Sequence, residues 1–279
     1  DDTLDKQQAE QPAEDRRQML PGTGEIESHA DRHEEQAEQQ PLERLDIDLG
    51  LVLELGLTEQ QPGKDRQRAA ALPRAMATMT DPAQCGPVCL AFCQDVQTEA
   101  FDYPESFFEP RVWYRRRIRP DHHELHRVVE KIRAAKHPVI VAGGGVHYAE
   151  ACGDLQGFAE AHNIPVVETQ AGKSALAWDH PLNLGPVGVT GASSANAICA
   201  EADLVLGVGT RFQDFTTGSW TVFKNPAATL VSLNVNAYDA VKHGALPLQA
   251  DARTGLTDLA LELTSYRAED VPAQLKIDW

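Results

Sequence analysis

The chain has 279 residues, which is enough for one large domain or two modest ones. Its net charge of −17 and isoelectric point near 4.9 argue against nucleic acid and anionic membrane as main partners. No stretch approaches the roughly 18 apolar residues of a membrane span, and the start lacks a signal-peptide pattern. Five cysteines without a paired C-x-x-C spacing indicate reduced thiols in a cytoplasmic protein.

Residues 1–70 differ in composition from the rest of the chain. They hold 18 acidic and 8 basic residues, many glutamines, and no Phe, Tyr, Trp or Cys. Such a segment cannot bury enough apolar surface to offset its chain entropy. We therefore predict that residues 1–70 are disordered or irregular. They are either an acidic interaction tail or, as we favour, a non-native translated segment.

A globular composition begins at Ala71 and continues through a linker to residue 120. The pattern predicts the end of a helix over 72–80, which Asp81-Pro82 stops. The apolar run 86–92 is typical of a buried strand. A basic extended segment follows over 111–119, and we interpret its three consecutive arginines as part of a solvated linker rather than a phosphate contact.

Residues 121–266 alternate short apolar strands with helical patterns. We predict strands over 139–142, 165–168, 204–208, 229–235 and 246–249. We predict helices over 122–135, 148–162 and 252–265, and a further helix between the second and third strands. Asp121 would cap the first helix, and Ser193 or Ser194 would cap the helix between the second and third strands. Continuous β-branched strands between helices are typical of a parallel sheet covered on both faces. The predicted fold is therefore α/β, with a doubly wound parallel sheet.

The predicted strand ends carry groups that could bind a nucleotide. Ligands of open α/β sheets bind outside the carboxyl ends of the strands, where Gly143, Gly144 and Gly145 end one strand and Gly209 ends another. Glycines let a pyrophosphate approach the backbone, and a helix N-terminus supplies N–H donors. Arg211 could pair with the phosphate. The glycines can be interpreted either as part of a nucleotide cleft or as a purely structural turn, and the sequence leaves both interpretations open.

We predict no catalytic residue and no metal site in this chain. Ser193 and Ser194 do not lie in a Gly-x-Ser-x-Gly elbow. His122 and His126 share a helix face but lack an evident third ligand, so a solvated face is favoured. The cysteines spaced every four residues, Cys85, Cys89 and Cys93, are interpreted as part of the apolar strand.

Several runs of sequence resemble one enzyme family. They are TDPAQCGPVCLAFCQDVQ at 80–97, DYPESFF at 102–108, ETQAGK at 168–173, HPLNLG at 180–185, GVTG at 188–191 and GVGTRFQDFTTG at 207–218. Together they resemble the thiamine-diphosphate-dependent enzymes of the acetolactate-synthase-like type. Within that family they are most similar to the C–C bond hydrolases that open trihydroxycyclohexane-1,2-dione in myo-inositol catabolism.

The resemblance implies a three-domain, homo-oligomeric enzyme acting on a cyclic polyol dione. Residues 71–120 would be the end of a pyrimidine-binding domain plus a linker, 121–266 the central domain, and 267–279 the start of a linker to a C-terminal domain. Thiamine diphosphate and Mg²⁺ are the implied cofactors. The family's activating Glu and its Gly-Asp-Gly…Asn motif do not occur in this sequence, so we expect an inactive fragment of the parent enzyme.

Related acetolactate synthases bind FAD in the central domain. Their pattern resembles the positions Gly143, Gly144, Gly145, Thr169, Gly209, Arg211, Asp214 and Asp251 here. The chain departs from it at Phe215, where those enzymes have a second Arg, and at Asn234, where they have Asp. Losing an Arg that pairs with phosphate disfavours FAD. An FAD-containing acetolactate synthase-like enzyme and a non-catalytic nucleotide-binding module remain the alternatives.

Overall fold

The computed structural model describes residues 64–270, apart from Cys93, Asp95, Glu99 and Phe101. Helix α1 spans Lys64–Thr80 and so begins inside the segment predicted to be irregular, because its alanines favour a helix. It ends at the predicted stop, where the Asp81 carboxylate accepts hydrogen bonds from the next turn. The rest of the disorder prediction, and most of the linker predicted over 267–279, lie outside the described residues.

The strand predicted over 86–92 is wrong. Within this run only Leu90 forms a bridge, and Phe92 is 59% exposed. No strand of the described sheet pairs with this run. An apolar run therefore becomes a strand only where a partner strand satisfies its backbone groups. Two single-turn 3-10 helices, Val96–Thr98 and Glu105–Phe107, follow on the way to the linker.

Six parallel strands form the described sheet, in the order β3-β2-β1-β4-β5-β6. Their bounds are β1 Pro138–Ala142, β2 Val166–Glu168, β3 Asn183–Pro186, β4 Leu204–Val208, β5 Thr229–Asn234 and β6 Leu246–Gln249. Five of the six match predicted strands. The sequence prediction missed β3, because its sequence Asn-Leu-Gly-Pro lacks β-branched residues and contains two strand breakers.

Seven further α-helices surround this sheet. They are α2 His122–Ala134, α3 Gly144–Tyr148, α4 Cys152–His162, α5 Ser193–Glu201, α6 Asp214–Thr217, α7 Ala237–Val241 and α8 Ala252–Glu262. Two more 3-10 turns lie at Gln170–Gly172 and Lys242–Gly244. The helix predicted over 148–162 corresponds to α4, which begins only at Cys152, because Glu150 adopts φ of 55° and separates α4 from α3.

The caps of two helices test the sequence reasoning directly. Asp121 caps α2 as predicted, and its carboxylate accepts hydrogen bonds from the backbone N–H groups of His123 and Glu124. The predicted serine cap of α5 is wrong, since Ala192 holds the cap position without a side-chain bond. The hydroxyl of Ser194 instead donates to the Leu184 carbonyl, which fastens α5 to the edge strand β3.

Side chains of the central strand β1 alternate between two cores. Ile140 and Ala142 belong to the core that also contains the buried faces of α2, α4 and α8. Val139 and Val141 belong to the core beneath α5. Because successive side chains of a strand point to opposite faces, this division confirms the predicted doubly wound sheet with helices on both sides. Among the described residues, no helix combines the length and apolar character that crossing a membrane requires.

Candidate functional site

The strand order places a crevice at the carboxyl ends of β1 and β4. The connection after β1 leads to β2, on one side of the sheet, whereas the connection after β4 leads to β5, on the other side. The two connections therefore leave the neighbouring strands β1 and β4 in opposite directions. A topological switch point of this kind is where open α/β sheets bind their ligands. The residues singled out from the sequence around Gly143 and Gly209 lie at this point.

The two glycine turns at the crevice press directly against each other. A Cβ atom on Gly143 would lie 2.3 Å from the Gly209 carbonyl oxygen, and one on Gly145 would lie 2.5 Å from the Gly209 Cα. The Gly143 N–H donates to the Val208 carbonyl, and the Gly145 N–H donates to that of Gly209, both at 2.9 Å. Gly209 itself needs φ of 60°. Backbone packing thus requires these glycines and also uses two of their N–H donors.

Thr169 and Gly144 lie on the β2 side of the crevice. The Thr169 N–H donates to the Ala142 carbonyl, and its hydroxyl oxygen accepts from the Gly172 N–H at 3.1 Å. A Cβ on Gly144 would lie 3.2 Å from the Ala171 methyl and 3.5 Å from both the Ala171 carbonyl oxygen and the Tyr148 ring. Thr169 therefore caps a 3-10 turn, and Gly144 is the least confined of the three consecutive glycines.

On the other side of the crevice, Asn234 joins the turns after β4 and β5. Its side-chain N–H donates to the Thr210 carbonyl at 3.1 Å, and its side-chain oxygen accepts from the Asn236 N–H at 3.0 Å. The Asn234 side chain is buried. Both ends of the amide are thus engaged within the protein, and an Asp at this position could not make the first of these bonds.

Arg211 lies on the loop between β4 and α6, and Asp214 is the first residue of α6; both are exposed. The Arg211 carbonyl accepts a hydrogen bond from the ammonium of Lys242 at 3.2 Å. The Asp214 carboxylate accepts one from the hydroxyl of Ser219 at 2.9 Å. Of the predicted site residues, these two are the charged ones that are exposed, whereas the charged Asp251 is buried.

The side chain of Asp251 has a structural partner that the sequence reasoning missed. Its carboxylate caps α8 through the Arg253 N–H at 3.0 Å and accepts from Arg117 at 3.2 and 3.3 Å. Arg117 also donates to the Ala149 carbonyl at 2.5 Å and to Glu150 at 3.0 Å. The linker arginines were expected to be solvated, and for Arg117 that expectation is wrong. Only spatial proximity, which no sequence motif carries, identifies this contact.

Two pKa shifts describe the electrostatics near this contact. The hydrogen bond from Arg115 lowers the pKa of the exposed Glu150 carboxyl below its ordinary value, with a smaller contribution from Arg117. Burial raises the pKa of the Cys152 thiol, and the charge of Glu168 adds to this effect. The first carboxylate is therefore held charged, whereas the thiol is held protonated and unreactive.

Candidate metal and proton-transfer groups do not converge within the described residues. No group of three or more His, Cys, Asp or Glu side chains there could hold a metal ion. His122 and His126 are exposed on α2, as predicted. His162 is buried in the core, where its Nδ1 lies 2.9 Å from the Tyr266 carbonyl. The His180 ring contacts Glu160 at 3.0 Å and accepts a hydrogen bond from the Leu182 N–H.

The strands and helices define a doubly wound α/β domain with the glycine crevice at its topological switch point. The model of one family, described as the central domain of thiamine pyrophosphate enzymes, matches residues 125–259. This segment runs from the first turn of α2 to the last turn of α8 and includes the whole sheet. Residues 125–259 are therefore similar to the central domains of that family.

Curated relatives and solved structures agree with this family. The chain is 44% identical over 220 residues to the 3D-(3,5/4)-trihydroxycyclohexane-1,2-dione hydrolase of Clostridium tetani, covering 77% of this chain and 34% of the relative. It is 46% identical over 207 residues to such a hydrolase from Bacillus cereus, with coverage of 74% and 32%. The chain thus spans about a third of the length of these relatives.

Two solved structures share the fold. One, assigned as a thiamin diphosphate-dependent enzyme of Mycobacterium smegmatis, aligns with TM-score 0.59 and 26% identity, over 77% of this chain and 40% of its own. The other is benzoylformate decarboxylase from Polynucleobacter necessarius, with TM-score 0.55 and 23% identity, over 72% and 39%.

Proposed function

We propose that this chain is the central-domain portion of a thiamine-diphosphate-dependent hydrolase that cleaves a C–C bond of trihydroxycyclohexane-1,2-dione in myo-inositol catabolism. The observation that carries the proposal is the identity of 41–46% to proteins with that enzyme name, along three quarters of this chain. We place the parent enzyme in the cytoplasm as a homo-oligomer, with a small cyclic polyol dione as its substrate.

The described residues do not fit thiamine diphosphate and Mg²⁺. Mg²⁺ requires oxygen ligands in near-octahedral geometry, and no acidic cluster in this part of the chain supplies them. The catalytic chemistry is therefore assigned to other parts of the parent enzyme. The role proposed for this segment is structural: a rigid parallel sheet carries, at its carboxyl edge, the linker that Arg117 and Asp251 hold in place.

FAD in the central domain is not favoured. The N–H groups of Gly143 and Gly145 already donate to backbone carbonyls, and both ends of the Asn234 amide are engaged. Phe215 offers no charge to a phosphate. We infer that the crevice is a closed remnant of a nucleotide site, which also argues against the acetolactate synthase-like and nucleotide-binding alternatives.

A domain exchange tests the proposal. Residues 121–266 of this chain would replace the matching segment in the Clostridium tetani hydrolase, and opening of the cyclic dione would be followed spectroscopically. Activity within about tenfold of the parent hydrolase is expected, because a domain of the same enzyme carries compatible surfaces.

The matched control is the same exchange with the corresponding segment of benzoylformate decarboxylase, which has the fold at only 23% identity to this chain. That chimera is expected to be inactive. If both chimeras fold and the first is as inactive as the second, the proposed function is wrong.

A further inference from the structure

The last described segment of the chain, residues 266–270, lies at the amino edge of the sheet and is called here the C-terminal strap. The Ala268 N–H donates to the carbonyl of His162, at the end of α4, at 2.9 Å. The Glu269 N–H donates to the carbonyl of Lys136, just before β1, at 3.2 Å. The strap is thus hydrogen-bonded to two turns of the domain, and nothing in the proposed function uses these contacts.

Two consecutive side chains at the end of α4 also contact the strap. The Nδ1 atom of His162 lies 2.9 Å from the Tyr266 carbonyl oxygen. A carbonyl oxygen can only accept a hydrogen bond, so Nδ1 carries a proton, and in the neutral ring Nε2 is then an acceptor. The Asn163 amide donates to the Ala268 carbonyl at 3.3 Å and to the Asp270 carboxylate at 2.9 Å. The His162 ring is therefore one of the groups that hold the strap in place.

The second ring nitrogen of His162 has no hydrogen-bond partner. His162 is 3% exposed, and its Nε2 is the one buried side-chain nitrogen or oxygen in the described part of the chain that lacks a hydrogen bond. The Phe158 ring packs edge-on against the His162 ring, with centroids 4.6 Å apart. A neutral ring leaves only an acceptor unpaired, whereas a protonated ring would bury a charged N–H without an acceptor, which costs far more. The closed strap therefore selects the neutral ring.

The neighbouring titratable groups do not supply the missing acceptor. On the strap and on the helix ends and turns beside it, they are Tyr266, Arg267, Glu269, Asp270, Arg133, Lys136, His137, Glu160, Asp203 and Glu262. None of their hydrogen bonds or ion pairs reaches the Nε2 atom of His162. Carboxylates stay ionised above about pH 5. Mild acid charges His137, which lies 3.7 Å from Glu269, and this would tighten the strap rather than loosen it. Loosening of the strap by mild acid is therefore assigned to His162.

We propose that the C-terminal strap is an acid-sensitive latch, which neutral His162 holds closed and which opens, while the sheet stays folded, when Nε2 takes up a proton from solvent. In the open state water surrounds the ring and supplies the acceptor that the core lacks. Local opening suits a segment that buries few side chains, and Ala268 alone of the five strap residues is buried. The latch thus sets, according to pH, how freely the chain moves after it leaves α8.

Hydrogen exchange of the 279-residue chain tests the latch, and the Ala268 N–H is the reporter. Its protection factor, which corrects for the pH dependence of exchange in a free amide, is expected to fall about tenfold between about pH 7.5 and about pH 5.5, because an exposed histidine takes up its proton near pH 6.5. The N–H of Ile140 in β1, which donates to the Pro165 carbonyl, is the reference and should be better protected at both pH values. A protection factor of Ala268 that does not change with pH, or equal protection of the two amides, would overturn the proposal.

Two variants separate the proton from the packing of the ring. His162→Asn keeps a side-chain N–H near the position of Nδ1 but cannot titrate, and His162→Phe keeps a ring against Phe158 but has no nitrogen. In each variant whose circular dichroism matches that of the parent, the Ala268 protection factor is expected to lose its pH dependence. His137→Asn is the matched control, because it removes the exposed histidine beside Glu269 and should keep the tenfold fall. A fall that survives in a folded His162 variant, or that disappears in His137→Asn, would show that another group opens the strap.

Discussion

The guanidinium of Arg117 lies 3.2 and 3.3 Å from the two carboxylate oxygens of Asp251, at the carboxyl edge of the sheet. The backbone reinforces this pair, because the Asp251 N–H donates to the Ile118 carbonyl at 2.9 Å. The Thr254 hydroxyl donates to the same carbonyl at 2.6 Å. The pair therefore fixes the linker at the point where it enters α2, although the two residues are far apart in sequence.

Arg117→Met is expected to release the linker. The Asp251 side chain is nearly buried, whereas that of Arg117 is 26% exposed, so losing the charged bonds should cost about 1–2 kcal/mol after solvent screening. Limited proteolysis is the measurement, and cleavage within residues 102–116 should become several-fold faster. Arg116→Met is the matched control, because Arg116 is an exposed neighbour. Equal cleavage rates in the two variants would show that the pair does not hold the linker.

The three consecutive glycines should respond differently to alanine. Gly145→Ala places a methyl group 2.5 Å from the Gly209 Cα, so the backbone must move, at a cost of at least about 2 kcal/mol. At the start of α3, the methyl group of Gly144→Ala comes no closer than 3.2 Å to any neighbour, so its effect should stay within about 1 kcal/mol. Urea unfolding of both variants is the measurement. Similar stabilities would mean that the turn after β1 is not confined by the turn after β4.

Periodicity and local signals predicted most of the elements of the fold. The buried face of α2 and five of the six strands follow from continuous apolar runs, which a parallel sheet covered on both faces requires. β3 was missed because it is an edge strand, where backbone pairing rather than side-chain propensity forms the ladder. The run 86–92 was wrongly predicted to be a strand, because an apolar pattern does not reveal whether a partner strand exists.

The sequence predicted which glycine turns meet at the carboxyl edge of the sheet, but not the contacts that they make there. The glycines after β1 and β4 come together as the carboxyl-end rule implies. The sequence could not reveal that Gly143 and Gly145 contact Gly209, or that Asp251 pairs with Arg117. These are contacts between segments distant along the chain, and the same residue types suit a ligand and a neighbouring backbone equally well.

Asp121 should make the stability of the domain sensitive to acid. Hydrogen bonds from the His123 and Glu124 N–H groups lower the pKa of Asp121 below its reference of 3.8. A carboxyl whose pKa is lower in the folded state stabilises the fold at pH values above its unfolded-state pKa. This stabilisation is lost as the pH falls through the folded-state pKa. The parent should therefore have a larger unfolding free energy than Asp121→Asn at about pH 5, and this difference should decrease as the pH is lowered to about 3. A difference that does not change with pH would contradict this role.

Tyr266 should make the stability of the domain sensitive to alkaline pH. Burial raises its pKa from 10.0 to about 12, with a further contribution from Asp203, and its hydroxyl donates to the Ala135 carbonyl at 3.0 Å. A raised pKa in the folded state adds stability below pH 10, and this stability is lost as pH rises toward 12. The advantage of the parent over Tyr266→Phe in urea unfolding should therefore shrink between about pH 10 and about pH 12. An advantage that grows over this interval would show that the phenol is easier to ionise in the folded protein.

The 279-residue chain should not bind thiamine diphosphate by itself. Binding of this cofactor through Mg²⁺ requires carboxylate and amide oxygens around the metal, and the described residues contain no cluster that could supply them. Calorimetric titration with thiamine diphosphate and MgCl₂ is expected to show no saturation up to millimolar cofactor. The thiamin diphosphate-dependent enzyme from Mycobacterium smegmatis, titrated in parallel, controls for cofactor quality. Saturable micromolar binding by this chain would mean that it contains a cofactor site, and that the purely structural role proposed for it is wrong.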